Sequence, residues 1–285
     1  MIATSFDYTR AQSLDEAIAK LKGAGGAGKL IAGGHSLVPL MKLRLSEPGL
    51  LIDIARIPGL AGIKKVGDRI EIGAGTVHHD VATSPLLRDA CPMLAEAAAS
   101  IGDQQVRNRG TIGGSLAHAD PAADYPAAML ALDTDIHIKG ASGARVSKAA
   151  TFFRGLFTVD LGPEEIITSV QFTPIKTAAY AKLHQRASHF AIVGVAAALE
   201  LSGGTITSAR IGVTGATPSA KRLSAVEQQL SGKKASEETI AAASKNAGKD
   251  LQDVNSDLHA SADYRRAMVA VFTRRALTSA LARAR

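Results

Sequence analysis

Residues 29–36 read "KLIAGGHS", and residues 109–115 read "RGTIGGS". In both stretches a short apolar run precedes two glycines, and a hydroxyl residue follows within two positions. The first stretch predicts a short strand, a tight glycine turn and a helix that begins near Ser36. Consecutive glycines let backbone N–H groups approach a phosphate without side chains in the way, and a helix start adds favourable partial charge. We therefore expect two loops that present backbone amides to one diphosphate.

Neither loop matches the two common phosphate-binding signatures. The first lacks the third glycine of a Rossmann fingerprint, and neither is followed by the Gly-Lys-Ser or Gly-Lys-Thr of a P-loop. Each loop alone is equally consistent with a plain tight turn between packed elements. The stretch "HADPAADYP" at 118–126 favours a nucleotide, because Asp124 can accept hydrogen bonds from a ribose or adenine. Asp120 precedes Pro121, which is typical of the start of a turn.

The composition indicates a globular protein of two or three packed units, with 285 residues, 46% hydrophobic and 21% charged. The single cysteine, Cys91, excludes iron–sulfur or zinc sites built from several thiolates of this chain.

No apolar run reaches the roughly 20 residues of a spanning helix, and no signal segment precedes residue 17. We expect a cytoplasmic protein without a membrane span. The formal charge of +7 raises nucleic-acid binding, but the basic residues are scattered and no recognition motif accompanies them, so none is expected.

The order of predicted elements favours an α+β fold over a doubly wound sheet. Ser13 and Glu16 have capping-box spacing at a helix start, and residues 50–55 and 69–75 alternate like strands, with a turn at Gly67. Helical patterns cover 78–90 and 92–101, and strand patterns recur until a hairpin near residue 203. The remainder is mostly helical. We place a subdomain boundary near residue 56 and the main boundary near residue 177.

Other candidate chemistry in the sequence is weak. His78 and His79 are adjacent, so on a helix they point about 100 degrees apart, which favours a helix start at the surface over a metal site. Ser36 and Ser115 lack the Gly-x-Ser-x-Gly elbow of a hydrolase. Cys91 is expected to pack as a small apolar residue. The sequence therefore predicts neither a catalytic side chain nor a metal site in this chain.

Together the stretches "AGGHSLVPLMKLRL" and "DQQVRNRGTIGGSLAHADPAADYPAAMLALD" resemble the FAD-binding medium subunit of the molybdenum hydroxylases. That family includes carbon monoxide and xanthine dehydrogenases. The resemblance covers the whole chain. It implies an α+β FAD-binding domain of the PCMH (vanillyl-alcohol-oxidase-like) type over 1–177, with subdomains of about 1–56 and 57–177. A C-terminal α+β domain of the carbon monoxide dehydrogenase flavoprotein type would follow over 178–285.

The resemblance also implies which residues contact FAD. One side of the diphosphate would be held by Lys29, Leu30, Ile31, Ala32, Gly33, Gly34, His35 and Ser36, and the other by Thr111, Ile112, Gly113, Gly114 and Ser115. Asp124 would meet the ribose and adenine end, and Ile101, Ile167 and Lys182 would line the rest. Phe190 would lie near the flavin ring, after His189 at a position where the family commonly has an Asp.

The function implied by the resemblance is electron transfer within a heterotrimeric type of enzyme. A large subunit would carry molybdopterin and a small subunit two 2Fe–2S clusters, in a dimer of heterotrimers, and the FAD subunit would pass electrons to an external acceptor. The substrate is left open between carbon monoxide, a purine, a nicotine-like compound and an aldehyde. Two alternatives also remain open at this point: a self-contained flavin oxidoreductase of the PCMH type, and a binding module for nucleotides or nucleic acid.

Overall fold

The computed structural model describes residues 2–284, and its N-terminal part is built around a three-stranded parallel sheet in the order β1-β3-β2. The elements are β1 (Asp7–Arg10), α1 (Leu14–Gly23), β2 (Gly28–Ile31), α2 (Leu37–Lys42) and β3 (Leu50–Asp53). The capping box predicted for α1 is confirmed: Ser13 Oγ accepts the Glu16 N–H at 3.1 Å, and Glu16 Oε2 accepts the Gln12 N–H at 2.7 Å. Helix α2 ends sooner than its apolar pattern predicts, because Arg44 takes a left-handed conformation (φ 57°).

The second part contains a five-stranded antiparallel sheet in the order β4-β5-β10-β6-β7. Its strands are β4 (Ile63–Val66), β5 (Arg69–Gly73), β6 (Asp135–Gly140), β7 (Gly143–Lys148) and β10 (Ile166–Phe172), and β8 (Phe153–Gly155) pairs separately with β9 (Thr158–Val159). Its helices are α3 (His78–Thr83), α4 (Pro85–Ala90), α5 (Pro92–Ala99), α6 (Gln104–Arg107), α7 (Ile112–His118), α8 (Tyr125–Ala131) and α9 (Ala149–Phe152). The turn at Gly67 is confirmed (φ 62°), although its first strand, β4, was not predicted.

The helical pattern at 78–90 is split in two in the structure. Ser84 leaves the helical conformation between α3 and α4 (φ −56°, ψ 118°), as a residue before a proline tends to do. Its hydroxyl then accepts the Leu87 N–H at 3.3 Å and caps α4. The break ends α3 and begins α4, which the apolar periodicity alone does not reveal.

The C-terminal part is a four-stranded antiparallel sheet in the order β11-β12-β13-β14, with α12 packed on β11 and β12. Its elements are β11 (Ala178–His184), β12 (Ala191–Ser202), β13 (Thr205–Thr214), β14 (Lys221–Arg222), α10 (Ser224–Leu230), α11 (Glu237–Ser244) and α12 (Ala262–Ala282). The predicted hairpin is confirmed, with Gly203 and Gly204 between β12 and β13. The predicted α+β class is therefore confirmed for the whole chain.

Two hydrophobic cores lie side by side. One joins the first two sheets and their helices, and the other lies between the C-terminal sheet and α10–α12. The C-terminal part is hydrogen-bonded to the loop before α8. The Ala191 N–H donates to Ala122 O at 3.1 Å, and the Gly215 N–H donates to Pro121 O at 2.8 Å. The C-terminal sheet thus supports the segment that follows the second glycine loop.

Candidate functional site

A cavity of about 740 Å³ is lined by both glycine loops. Its walls also include the turn after α5 at 101–102, the segment 120–124, the segment 159–167 and the tip of the β11–β12 hairpin at 188–190, and His78 lines it as well. The volume falls within the range of pockets that enclose small molecules and cofactors. The sequence expectation of one shared space between the two loops is met.

The two loops touch each other at the cavity wall. A Cβ atom added to Gly33 would lie 2.2 Å from the carbonyl oxygen of Arg109 and 2.7 Å from Cα of Gly110. A side chain there would push the loops apart, because both neighbouring atoms belong to backbone. Gly33 therefore permits the contact that places the two loops on the same cavity.

The first loop presents a row of unpaired amides. Among residues 2–284, the backbone N–H groups of residues 33–37 donate no hydrogen bond. These groups precede and open α2, where the first N–H groups of a helix have no partner inside it. The Gly33 carbonyl, which would repel an anion, lies 2.8 Å from His35 Nδ1. The loop is thus arranged to donate hydrogen bonds to a ligand.

The second loop uses its amides inside the protein. The N–H groups of Ile112, Gly113, Gly114 and Ser115 donate to Thr76 O at 3.0 Å, Ala74 O at 2.8 Å, Thr111 Oγ1 at 3.1 Å and Thr111 O at 3.0 Å, respectively. Gly113 also packs closely, because an added Cβ would lie 2.5 Å from Cβ of Ala74. The expectation that both loops offer free amides is therefore met by the first loop and contradicted by the second. The second loop instead lines the cavity with Ser115 and with Gly113 and Gly114, which carry no side chains.

Most of the residues assigned to cofactor binding by resemblance lie around this one cavity. Those that line it are Lys29, Leu30, Ile31, Ala32, Gly33, Gly34, His35, Ser36, Ile101, Thr111, Gly113, Gly114, Ser115, Asp124, Ile167 and Phe190. Ile112 is fully buried beneath the second loop and does not reach the cavity. Lys182 lies behind the wall, where its ammonium group contacts Asp124.

Asp124 is the buried carboxylate of the cavity wall, 4% exposed at the start of α8. Its Oδ1 accepts the Tyr180 hydroxyl at 2.6 Å, and its Oδ2 accepts Lys182 Nζ at 2.9 Å. Burial raises the pKa of the Asp124 carboxyl, and the neighbouring Lys182 charge opposes that rise. A carboxylate has about four acceptor positions, so these two bonds leave capacity for a ligand in the cavity.

His78 contradicts its surface assignment. It begins α3 as predicted but is only 5% exposed, with Nδ1 3.2 Å from the Tyr125 hydroxyl. Burial, reinforced by the nearby His35 and Arg107, lowers the pKa of His78 to about 4, so the ring is neutral at pH 7. Its backbone N–H donates to Gly110 O at 2.9 Å, which fixes the second loop to α3.

The hairpin tip at 185–190 places one aromatic ring on the cavity rim. Phe190 lines the cavity while 47% of its surface is exposed. Before it, His189 takes a left-handed backbone (φ 61°), and its ring stacks on His184 with centroids 5.2 Å apart. Gln185 Oε1 accepts the Ser188 hydroxyl at 2.9 Å and so closes the turn. The tip is held by contacts within the hairpin itself.

Comparison with known proteins agrees with this architecture. Residues 4–174 match the family model of the FAD binding domain in molybdopterin dehydrogenase. Residues 178–280 match the carbon monoxide dehydrogenase flavoprotein C-terminal domain. The chain belongs to the FAD-binding medium subunits of the molybdenum hydroxylases. The predicted resemblance is thereby confirmed, as are the FAD cofactor and the assignment to oxidoreductase subunits.

Individual medium subunits match over nearly their whole length. The carbon monoxide dehydrogenase medium chain of Hydrogenophaga pseudoflava is 40% identical, with 99% of both chains covered. The 6-hydroxypseudooxynicotine dehydrogenase complex subunit alpha of Paenarthrobacter nicotinovorans is 40% identical over 99% of this chain and 96% of its own. A solved structure of carbon monoxide dehydrogenase from H. pseudoflava, lacking the Mo-pyranopterin moiety, superposes with a TM-score of 0.95 at 41% identity, covering 99% of each chain.

The cavity suits the FAD of this family in chemistry as well as in size. The unpaired amides of the first loop match the negative charge of a diphosphate, and Ile101 and Ile167 supply apolar wall.

Within residues 2–284, no cluster of three His, Cys, Asp or Glu side chains is placed to hold a metal ion. Burial raises the pKa of Cys91 to about 11, as fits a fully buried thiol that only packs. In the same range, no helix is both long and apolar enough to cross a membrane.

Part of the cavity wall was missed by sequence reasoning. Apart from Ile167, the segment 159–167 carries no phosphate or nucleotide motif, yet most of it lines the cavity. The Gly162-Pro163 pair marks a loop before β10, but a loop signal does not reveal what the loop faces. His78 was missed for a different reason, because its burial depends on the second loop folding over α3.

Proposed function

We propose that this chain is the electron outlet of a molybdenum hydroxylase: it receives electrons from 2Fe–2S clusters of a partner subunit and delivers them to an external acceptor. The observation that carries the proposal is the row of unpaired amides at 33–37, which faces a cavity shared with the second glycine loop. Such a row suits a diphosphate held at a helix start. The family assignment identifies the diphosphate compound as FAD.

We infer that the residues assigned by resemblance act as FAD contacts in three ways. The amides of residues 33–37 and the hydroxyls of Ser36 and Ser115 donate to the diphosphate. Asp124 accepts hydrogen bonds from the ribose and adenine end, and Phe190 covers the flavin ring at the rim. Ile112 supports the second loop from below, since it is completely buried.

FAD, when bound, supplies reversible electron transfer, which no side chain of this cavity provides. The protein's own contribution is to hold the diphosphate, exclude water and leave one approach open at the rim. The neutral His78 ring and the buried Lys182–Asp124 pair fix the wall of the cavity. The geometry therefore supports a site that holds a cofactor for electron transfer.

Substrate chemistry is proposed to reside in another subunit. Relatives named for carbon monoxide, for 6-hydroxypseudooxynicotine and for glyceraldehyde are all 37–40% identical to this chain over at least 97% of its length. If the substrate pocket lay in this subunit, relatives named for such different substrates would be expected to differ more from one another in their identity to this chain. We propose a large molybdopterin subunit and a small 2Fe–2S subunit as partners, in a cytoplasmic dimer of heterotrimers.

We also propose the domain limits 1–177 and 178–285, with subdomains of about 1–56 and 57–177. The three larger sheets and the family matches over 4–174 and 178–280 support these limits.

The proposal is tested by reconstituting the purified chain with FAD and then adding a reduced 2Fe–2S partner subunit. We expect one FAD per chain in the visible spectrum and bleaching of the flavin band when the reduced partner is mixed in a stopped-flow instrument. The matched control is the same mixture with the partner's clusters oxidised. Substrate turnover by the isolated chain would instead favour a self-contained flavin enzyme, and failure to take up FAD would overturn the assignment of the cavity.

A further inference from the structure

Lys182 stands out because it is a buried charge that does not line the cavity. The side chains of Lys182 and Asp124 are only 5% and 4% exposed, and Nζ lies 2.8 Å from Asp124 Oδ1. The same Nζ donates to the Ser100 carbonyl at 2.9 Å. Lys182 belongs to β11 of the C-terminal sheet, whereas Asp124 and Ser100 belong to the FAD-binding part. One ammonium group therefore joins the two parts of the chain behind the cavity wall.

Both partners of Lys182 adjoin cavity residues. Asp124 itself lines the cavity, and Ser100 directly precedes Ile101, which lines it as well. Tyr180, two residues before Lys182 on the same face of β11, completes the cluster by donating its hydroxyl to Asp124 at 2.6 Å. Gly194 on the adjacent strand leaves room for that hydroxyl, because an added Cβ would lie 2.1 Å from it. The strand thus carries a built support for one carboxylate.

We propose that Lys182 is a positioning residue: it holds the Asp124 carboxylate charged and fixed at the cavity wall, so that Asp124 can accept hydrogen bonds from the nucleotide end of FAD. The inference rests on the proposed FAD site. In place of the direct contact between Lys182 and FAD that the resemblance implies, Lys182 affects FAD binding through Asp124. A buried carboxylate that loses its only cationic partner takes up a proton more easily, and a protonated carboxyl has fewer acceptor positions.

The groups around the pair define the pH response. Asp124 faces Lys182 and the Tyr180 hydroxyl from β11, and Tyr125 follows it on α8, where the Tyr125 hydroxyl meets the His78 ring. From α5, Glu96 accepts the Tyr180 backbone N–H at 2.9 Å and is itself paired with Arg283 of the C-terminal segment. No second cation contacts Asp124 among residues 2–284. Removal of Lys182 therefore leaves Asp124 without a counter-ion.

The test is a double-mutant cycle on FAD affinity in the full-length chain, measured by quenching of flavin fluorescence between pH 6 and pH 9. We expect Lys182→Met to weaken binding roughly 10- to 100-fold, which corresponds to losing a hydrogen bond to a charged group. The loss of FAD affinity should shrink as the pH rises and Asp124 ionises again, whereas the FAD affinity of the original protein should not change with pH. Lys182→Arg should restore the flat profile.

The decisive comparison uses Asp124→Asn as background. If Lys182 acts only through Asp124, adding Lys182→Met to Asp124→Asn leaves the FAD affinity of the single Asp124→Asn variant unchanged at every pH. The double variant removes both buried charges together, so it remains informative even if Lys182→Met alone fails to fold. An additive loss in the double variant, or an unchanged affinity in Lys182→Met, would overturn the inference. Failure of the original protein to bind FAD would instead refute the proposed function.

Discussion

The two glycine loops have similar sequences and opposite hydrogen-bonding arrangements. In the loop at 33–37 the backbone N–H groups have no partner among residues 2–284, whereas in the loop at 112–115 all four are taken up by Ala74, Thr76 and Thr111. The glycines also differ in purpose, because Gly33 lets the two loops touch and Gly113 lets one loop pack on Ala74. A Gly-Gly pair thus marks close backbone approach, and only the fold decides whether a ligand or the protein makes that approach.

The largest effect on this comparison is expected from Gly33→Ala. The new Cβ would meet the Arg109 carbonyl at 2.2 Å, and neither backbone can yield without moving a loop. We expect a loss of about 3 kcal/mol in unfolding free energy and roughly 100-fold in FAD affinity, measured by chemical denaturation and flavin fluorescence. The control is Gly23→Ala, whose Cβ would meet nothing within 4 Å. Normal FAD affinity in Gly33→Ala would show that the loops need not touch.

Acid should destabilise the fold through His78, whose backbone N–H holds the second loop. Because the pKa of His78 is lowered to about 4 in the folded protein, its neutral form stabilises the fold above pH 6.5, and this contribution is lost as the pH falls from 6.5 to 4. The shift corresponds to about 3 kcal/mol. In urea unfolding, His78→Gln should lose this part of the pH dependence, whereas the neighbouring His79→Gln should keep it. Identical pH profiles for all three proteins would refute a neutral buried His78.

Gly113→Ala separates stability from ligand binding. Its Cβ would lie 2.5 Å from Cβ of Ala74, so we expect a loss of about 2 kcal/mol in unfolding free energy. FAD affinity should fall less than in Gly33→Ala, because the Gly113 amide already serves the protein. Gly155→Ala, with its nearest neighbour at 4.0 Å, is the control for a glycine substitution elsewhere. An affinity loss in Gly113→Ala larger than that of Gly33→Ala would reverse the roles of the loops.

The smallest effects are expected from the two serines. Neither the Ser36 nor the Ser115 hydroxyl has a hydrogen-bond partner among residues 2–284, so changing either to Ala should leave thermal stability unchanged. Each substitution should weaken FAD binding by about 1 kcal/mol, a few-fold in the dissociation constant, as calorimetry can measure. Ser202→Ala, on the exposed β12–β13 hairpin, should change neither quantity. A lower melting temperature for Ser36→Ala would reveal a structural role for that hydroxyl.

Local signals in the sequence were sufficient for much of the fold. The capping box at Ser13, the turn at Gly67 and the β12–β13 hairpin depend on residues close in the chain, and all three are confirmed. The order of strands within the sheets was not predicted, because strands such as β5 and β10 are brought together by contacts across about a hundred residues. Strand β4 was missed for a different reason: it pairs locally with β5 across the Gly67 turn, but its four residues are too few to show a clear alternation.

The candidate site was predictable only in its motifs. The glycines and hydroxyls of both loops are visible in the sequence, but the use of the second loop's amides depends on Ala74 and Thr76, which carry no signal of their own. The burial of His78 and the position of Lys182 behind Asp124 likewise arise from tertiary packing. Patterns of residue type reveal which groups can bind a ligand, and the surrounding fold decides which of them are free to do so.

The backbone hydrogen bonds from Ala191 and Gly215 to the segment before α8 restrict the motion of the C-terminal sheet relative to that segment. A hinged swing of the C-terminal sheet would have to break them and uncover the buried Lys182–Asp124 pair at once. The hairpin tip at 185–190 is instead held by hydrogen bonds within the hairpin, so a movement of the tip would change the rim of the cavity without breaking that joint.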